Sequence, residues 1–282
     1  MKRTPAGRAG VETRVFAPAP KAELLSGELD TSPNPAPAVA RAVRIVNYLL
    51  SAPDGAGVTE IAQALSMNKS TCFGILNTLM SFQVLSKHPR YAIYRLGPRL
   101  VEWGTASRRQ FSRQTIIHEK VEALVADIKL TCLIGQVLAD GHGIVVVDRV
   151  EPARPDVSTL PVGYVVPMSG PAMGKVVLSY MDDSDALREA GRFSLIPEGK
   201  TAEYLAELHK VRARGYATSA GEFRSEVNAV AAAITRGNTE IITVLCVVGF
   251  AHHLEASELD ALGGRLAATA RELGGHESVG TL

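Results

Sequence analysis

The chain has 282 residues, 46% hydrophobic and 21% charged, with a formal net charge of +1; that is room for two domains of globular composition, each with its own core. No apolar run approaches the roughly 20 residues that cross a bilayer, which excludes a membrane span and a membrane partner. The three cysteines, Cys72, Cys132 and Cys246, lie far apart in apolar surroundings, which excludes a disulfide framework and a metal site, and points to reduced thiols in a cytoplasm.

Residues 1–37 are rich in Pro, Ala and small polar residues, without apolar periodicity, and read as a disordered extension. Their first part, MKRTPAGRAGVETRVFAPAPK, lacks the apolar core of a secretory signal. From Val39 to Leu50 a helix is expected, with Val39, Val43, Val46, Leu49 and Leu50 as its packing stripe and Pro53-Asp54-Gly55 as its stop.

Val58–Met80, VTEIAQALSMNKSTCFGILNTLM, reads as two short helices. Ile61, Ala62 and Leu65 form the apolar face of the first; Ile75, Leu76 and Leu79 form that of the second. Ser66-Met67-Asn68 breaks them, because Ser and Asn favour turns and caps. The remaining face carries Asn68, Lys69, Ser70, Thr71, Phe73, Asn77 and Thr78, donors and acceptors suited to a major groove. Taken alone, this stretch is equally a helix-turn-helix or a helical hairpin with a solvated face.

Val84-Leu85 and Tyr91–Leu96 read as two strands, with Lys87-His88-Pro89-Arg90 at the turn between them. A three-helix core followed by a hairpin is a winged helix-turn-helix. Lys87, His88 and Arg90 at the wing tip suit phosphate or minor-groove contact. Charge agrees: Arg41 to Arg109 holds nine Lys/Arg against three acids, a net of +6, whereas residues 110–282 carry a net of −6. A basic module followed by an acidic one fits one half made for a polyanion and the other for something else.

From Pro98 to about Lys129 the pattern is helical. Leu100, Val101 and Trp103 start a linker helix, and Ile116, Ile117, Val121, Leu124, Val125 and Ile128 mark the next helix. Trp103 is read as linker packing or a dimer contact. Cys132–Ala139 and Ile144–Val150 are expected strands, joined at Asp140-Gly141-His142-Gly143. A short strand follows at Val162–Val166, then a helix from Gly170 to Met181 with Pro171 in its first turn. Further helices are expected at Asp185–Ala190, Ala202–Arg214 and Ala256–Leu273, a strand opening at Gly215-Tyr216, another at Glu240–Val248, and an apolar run at Val227–Ile234. This is α+β rather than a βαβ repeat, which disfavours a doubly wound nucleotide-binding fold.

An enzyme is the rival class. His252-His253 with Glu255 is the one clustered set and has no convincing third ligand. Ser169-Gly170 lacks the Gly-x-Ser-x-Gly of a nucleophile elbow. Lys175 sits on an apolar helix and is assigned no chemistry. No catalytic residue, metal or cofactor is expected.

The chain from about Val39 to Leu273 resembles the IclR family of transcriptional regulators. The residues that carry the resemblance are RAVRIVNYLL, VTEIAQALSMNKSTCFGILNTL and YRLGPRLVEWG, then VVVDRVE, VGYVVPMSGPAMGKVVLSYM, VRARGYATSAGEF and VNAVAAAI. The resemblance implies a winged helix-turn-helix domain at 38–97, a linker helix at 98–114 and a GAF-like antiparallel-sheet effector domain at 115–275, between the extension at 1–37 and a tail at 276–282. It implies double-stranded operator DNA and a small organic-acid effector as partners, and assembly as a homodimer or dimer of dimers. A converting enzyme, or a ligand-independent DNA-binding protein with a vestigial effector domain, stands as the alternative.

Two departures from the family pattern matter. Gly74 stands where the recognition helix usually has Arg, so a guanidinium able to read guanine is missing, and the operator should differ from the common one. The effector positions implied by the resemblance fall on Gly170, Ala172, Met173, Ser219, Ala229, Cys246 and Val248. Met173, Ala229 and Val248 are apolar where relatives that take small hydrophilic acids place polar groups. Burying a bare carboxylate there is costly, so a larger, more apolar effector is expected, with anion capture by backbone amides where the Gly170–Lys175 helix begins. The alternative is that these residues are core and the ligand sits elsewhere.

Overall fold

The computed structural model describes residues 36–276 except 111, 139–140, 142, 154–159, 194 and 238–239. The expected extension, apart from its last residues, and the tail beyond residue 276 lie outside the described residues, as do Asp140 and His142 of the expected hairpin turn.

The first helix, α1 (Pro37–Leu50), begins on a proline, whose missing N–H has no helical partner there. Its buried line runs through Ile45 and Leu49, whereas Val39, Val43 and Leu50 are 62%, 51% and 61% exposed. The expected stripe is therefore corrected. Two apolar lines run along this helix, and the core takes the one through Ile45 and Leu49.

At Gly55 the chain adopts φ +80, where an added Cβ would strike Ile93 and Arg95, so glycine is required. A two-residue strand, β1 (Ala56–Gly57), follows, which the periodicity does not reveal. The helices α2 (Val58–Ala64) and α3 (Lys69–Ser81) meet at the expected break, with Ser66 at φ 51 and Asn68 capping α3. The wing strands are β2 (Leu85–Lys87) and β3 (Ile93–Leu96), in the antiparallel order β1-β3-β2. Tyr94 on β3 is buried with Ile45, Ile61, Cys72 and Leu76, so the wing roots in the helical core.

Then come α4 (Arg99–Gln110) and α5 (Ser112–Ile128). On α4, Val101 and Trp103 remain 73% and 53% exposed, so among the described residues nothing covers these two members of the linker stripe. Ile117, Val121, Leu124 and Val125 of α5 are buried.

The second half is a six-stranded antiparallel sheet with helices on both faces. Its strands are β4 (Thr131–Val137), β5 (Ile144–Val150), β6 (Val165–Val166), β7 (Tyr216–Arg224), β8 (Val227–Arg236) and β9 (Glu240–Phe250), in the order β6-β5-β4-β9-β8-β7. Its helices are α6 (Met173–Ser179), α7 (Asp183–Arg192), α8 (Thr201–Arg214) and α9 (Leu259–His276), the last preceded by a 3-10 turn at Ala256–Glu258. Alternation along the strands splits the core. Cys132, Ile134, Val230, Ala232 and Leu245 face α5 and α9, while Leu133, Ala231, Val244 and Cys246 face α6–α8.

Four expected elements are shorter. The strand at Tyr91–Leu96 reduces to Ile93–Leu96, that at Cys132–Ala139 to Thr131–Val137, that at Val162–Val166 to Val165–Val166, and the helix at Gly170–Met181 to Met173–Ser179. Pro171 is not in the helix. The chain instead makes turns there: the Gly170 N–H donates to the Pro167 carbonyl and the Gly174 N–H to the Gly170 carbonyl. Those two amides are thereby used, which removes them from the expected anion cradle.

Candidate functional site

The outer face of α3 is built by its cap. Asn68 Oδ1 accepts from the Ser70 N–H at 2.9 Å and from the Ser70 hydroxyl at 2.7 Å, satisfying an otherwise orphan first-turn donor. These polar atoms hold the helix start, and Lys69, Thr71, Phe73 and Asn77 are exposed side chains of α3. Phe73 is 47% exposed, an apolar ring amid polar neighbours. Nothing lies within 4 Å of a Cβ placed on Gly74, so the gap left by the missing guanidinium is open space. Thr78 turns its hydroxyl back to the Gly74 carbonyl at 3.1 Å and is engaged with its own helix.

At the wing, the His88 N–H donates to the Ile93 carbonyl and closes the hairpin. His88 Nδ1 accepts from the Arg90 N–H at 3.2 Å, which in the neutral ring puts the proton on Nε2. The Lys87 ammonium lies 5.5 Å from the Tyr94 ring centroid, and Arg90 is exposed. His88 and Arg90 lie in the hairpin turn as expected, whereas Lys87 is the last residue of β2, paired with Tyr94 just before that turn.

Sequence reasoning missed how α1 holds α2. Arg44 Nη2 donates to the Leu65 carbonyl at the end of α2, and the Tyr48 hydroxyl donates to Glu60 at its beginning. The signal was present: Arg44 and Tyr48 are four apart and share one helix face.

In the second half the residues singled out for the effector come together. Ser219 pairs with Ala229, and Ala229 with Val248, so the three form one row across β7, β8 and β9. Cys246 stands opposite Ala231 in the next row on the same face. Ala172 and Met173, at the start of α6, are buried against that face. Gly170 is buried just before them, with its amide in the turn. Gly135 is a further member that sequence reasoning passed over. A Cβ there would stand 2.7 Å from Met173 Cε, and glycine inside a strand signals such an approach. Lys175 Nζ pairs with Glu222 at 2.7 Å, tying α6 to the end of β7.

Burial pushes the Cys246 thiol up to about 12, and burial, helped by neighbouring Cys246, raises Cys132 further; burial raises Cys72 as well. All three are neutral thiols at physiological pH, unsuited to nucleophilic attack. His252 stacks on Phe250 at 5.4 Å and touches His253 at 4.1 Å, an aromatic stack at the end of β9. Among the described residues no group of three His, Cys, Asp or Glu is placed to hold a metal, and no helix is long and apolar enough to cross a membrane.

Known proteins match both halves. The IclR helix-turn-helix domain matches residues 38–89, and the C-terminal domain of the bacterial transcriptional regulator IclR matches residues 111–274. The regulator XynR of Escherichia coli is 24% identical over 231 residues, covering 78% of this chain and 89% of that protein. The glycerol operon regulatory protein of Streptomyces coelicolor is 29% identical over 206 residues, covering 69% of this chain and 77% of that protein. A crystal structure of an IclR transcriptional regulator from Alicyclobacillus acidocaldarius superposes with a TM-score of 0.69 at 26% identity, over 85% of this chain and 98% of the other. With a helix-turn-helix in front and an antiparallel effector-type sheet behind, each matched by its own domain, the chain belongs to the IclR family of DNA-binding transcriptional regulators.

Proposed function

We propose that this regulator controls catabolic or metabolic genes in response to a small organic acid that is largely apolar, an aromatic acid being the favoured class, and that it binds operator DNA as a homodimer or dimer of dimers. The carrying observation is the Ser219–Ala229–Val248 row with Cys246 beside it, beneath Ala172 and Met173. That face offers one hydroxyl, one neutral thiol and otherwise methyl and methylene groups. It repays the burial of a ring at about 25 cal/mol per Å², and gives a two- or three-carbon acid such as glyoxylate few partners.

On the DNA side, Lys69 takes a phosphate, Thr71, Phe73 and Asn77 meet base edges, and Asn68 with Ser70 holds the helix start. A thymine methyl suits the Phe73 ring. Lys87, His88 and Arg90 follow the backbone or minor groove beside the site. Switching requires the effector to bind the DNA-competent and DNA-incompetent arrangements with different affinity.

One observation favours a second reading, a sheet face filled by core packing alone: Met173 Cε already lies over Gly135. A thermal-shift screen of the full chain with glyoxylate, pyruvate, benzoate and hydroxybenzoates separates the readings. A ligand at 100 times its Kd adds roughly 2.7 kcal/mol. The aromatic acids should raise the midpoint. Stabilisation by glyoxylate and not by the aromatic acids overturns the effector class, and no response to any acid favours the filled core.

A further inference from the structure

We infer that Asp148 is the positioning residue through which the effector sheet holds the linker helix, and that a β-bulge in β5 puts it there. The inference rests on the reading of the chain as an effector-responsive DNA-binding regulator.

Three donors converge on this one carboxylate, whose side chain is only 13% exposed. Arg108 Nη2, on α4, reaches Oδ1 at 3.1 Å; the Arg149 N–H reaches the same oxygen at 3.0 Å; and His118 Nδ1, on α5, reaches Oδ2 at 2.7 Å. His118 also meets Glu122 through its Nε2 at 3.3 Å. A carboxylate withdrawn from water needs such partners. Arg108 is the partner that comes from the linker helix, 40 positions earlier in the chain.

The strand register explains why an acid in the apolar run IVVVDRV points this way. Gly135 pairs with Val146 but Ile134 pairs with Asp148, so Val147 is the extra residue of a bulge. Without it, Asp148 would lie on the same face as Val146, toward Met173. The bulge turns it over, to the face of Ile134 and α5. The same two-residue step therefore has Val146 opposite Gly135, beneath Met173, and Asp148 on the linker's Arg108. A ligand that moves Met173 presses on the strand pair next to the bulge, and the bulge carries the linker's anchor.

The test uses the full chain and a fluorescent duplex of the protein's own upstream region, by anisotropy near physiological salt, where the Debye length is about 8 Å. The proteins are wild type, Arg108→Ala, Asp148→Asn and the double variant. If the pair positions the linker, both single variants move Kd in the same direction by about 3- to 10-fold, and the double variant moves it no further than the larger single change. If only charge matters, the signs are opposite: losing the cation weakens binding to a polyanion and losing the acid strengthens it. Opposite signs, multiplying effects or unchanged Kd values overturn the inference. Should Asp148→Asn fail to fold, Arg108→Ala alone decides, since His118 and the Arg149 amide still satisfy the carboxylate. The slope of log Kd against log salt should then stay at the wild-type value while Kd shifts. A slope shallower by about one makes Arg108 a phosphate contact and overturns the assignment. Absence of salt-dependent binding by the wild type would instead sink the DNA-binding reading itself.

Discussion

Gly74→Arg is the most informative single change at the proposed DNA face of α3. Position 74 is exposed in the second turn of α3, between Phe73 and the Asn77–Thr78 pair, and an added Cβ meets nothing within 4 Å. The Thr78 hydroxyl bonds the backbone carbonyl of residue 74, so that bond survives the substitution. Replacing an exposed helical glycine lowers the folding cost by about 0.5–1 kcal/mol, and the variant should be at least as stable as wild type. A guanidinium there adds one cation, steepening the salt dependence of DNA binding by about one unit of slope. If it reaches a base edge, it pairs with guanine O6 and N7 and discriminates by roughly 1–3 kcal/mol, about 5- to 150-fold at one base pair. The assay is selection from a randomised duplex, followed by competition binding, with Gly74→Ala as the control for helix stability. Wild type and Gly74→Ala should select the same sequence, and Gly74→Arg should gain a G·C preference at one added position. A steeper salt slope without a new preference would turn position 74 toward the backbone. No change in either would remove α3 from the DNA.

Other consequences are more local. Asn68→Ala removes the cap of α3 and should cost about 1 kcal/mol of stability by thermal denaturation, with Asn68→Ser largely restoring it; an unchanged midpoint would refute the cap. Arg44→Ala should cost on the order of 1 kcal/mol through loss of the Leu65 carbonyl bond, and weaken DNA binding without changing its salt slope; a shallower slope would make Arg44 a phosphate contact instead. The buried thiols give an alkaline signature. The Cys246 pKa rises from 9.0 in the free thiol to about 12 in the fold, so above pH 9 the unfolded chain loses a proton that the folded chain keeps. Stability that is fully present below pH 9 then falls by roughly 1.4 kcal/mol per pH unit toward pH 12. Cys246→Ala should show a shallower loss over that range, and identical profiles would refute it.

What could be read without coordinates follows from the range of each interaction. The break at Ser66–Asn68, the cap on α3 and the apolar faces of α2 and α3 depend on residues within four positions, and they stand where periodicity places them. The β-branched runs of β4, β5 and β9 announce themselves in the same way. Periodicity does not settle the face of α1, because two apolar lines overlap on it, and only packing against Cys72 and Leu76 chooses between them. The strand Ala56–Gly57 exists through pairing with Tyr94 and Ile93, nearly 40 positions away, and has no local pattern of its own. The bulge at Val147 is likewise a property of two paired strands, although an acid within IVVVDRV hinted that one residue there had a polar destination. The proposed effector row follows from family resemblance; the strand register is what sets Ser219, Ala229 and Val248 side by side.

The most direct test of DNA reading by α3 is a salt titration of full-length protein on its own upstream duplex, comparing wild type with Lys69→Ala and Thr71→Ala. The wild type should bind with steep salt dependence. Lys69→Ala should lose affinity on all sequences with a slope shallower by about one, and Thr71→Ala should lose roughly 1–3 kcal/mol confined to one base pair. Equal losses on every sequence for both variants would contradict the assignment of Thr71 to a base edge, and salt-insensitive binding by the wild type would contradict the DNA interface as a whole.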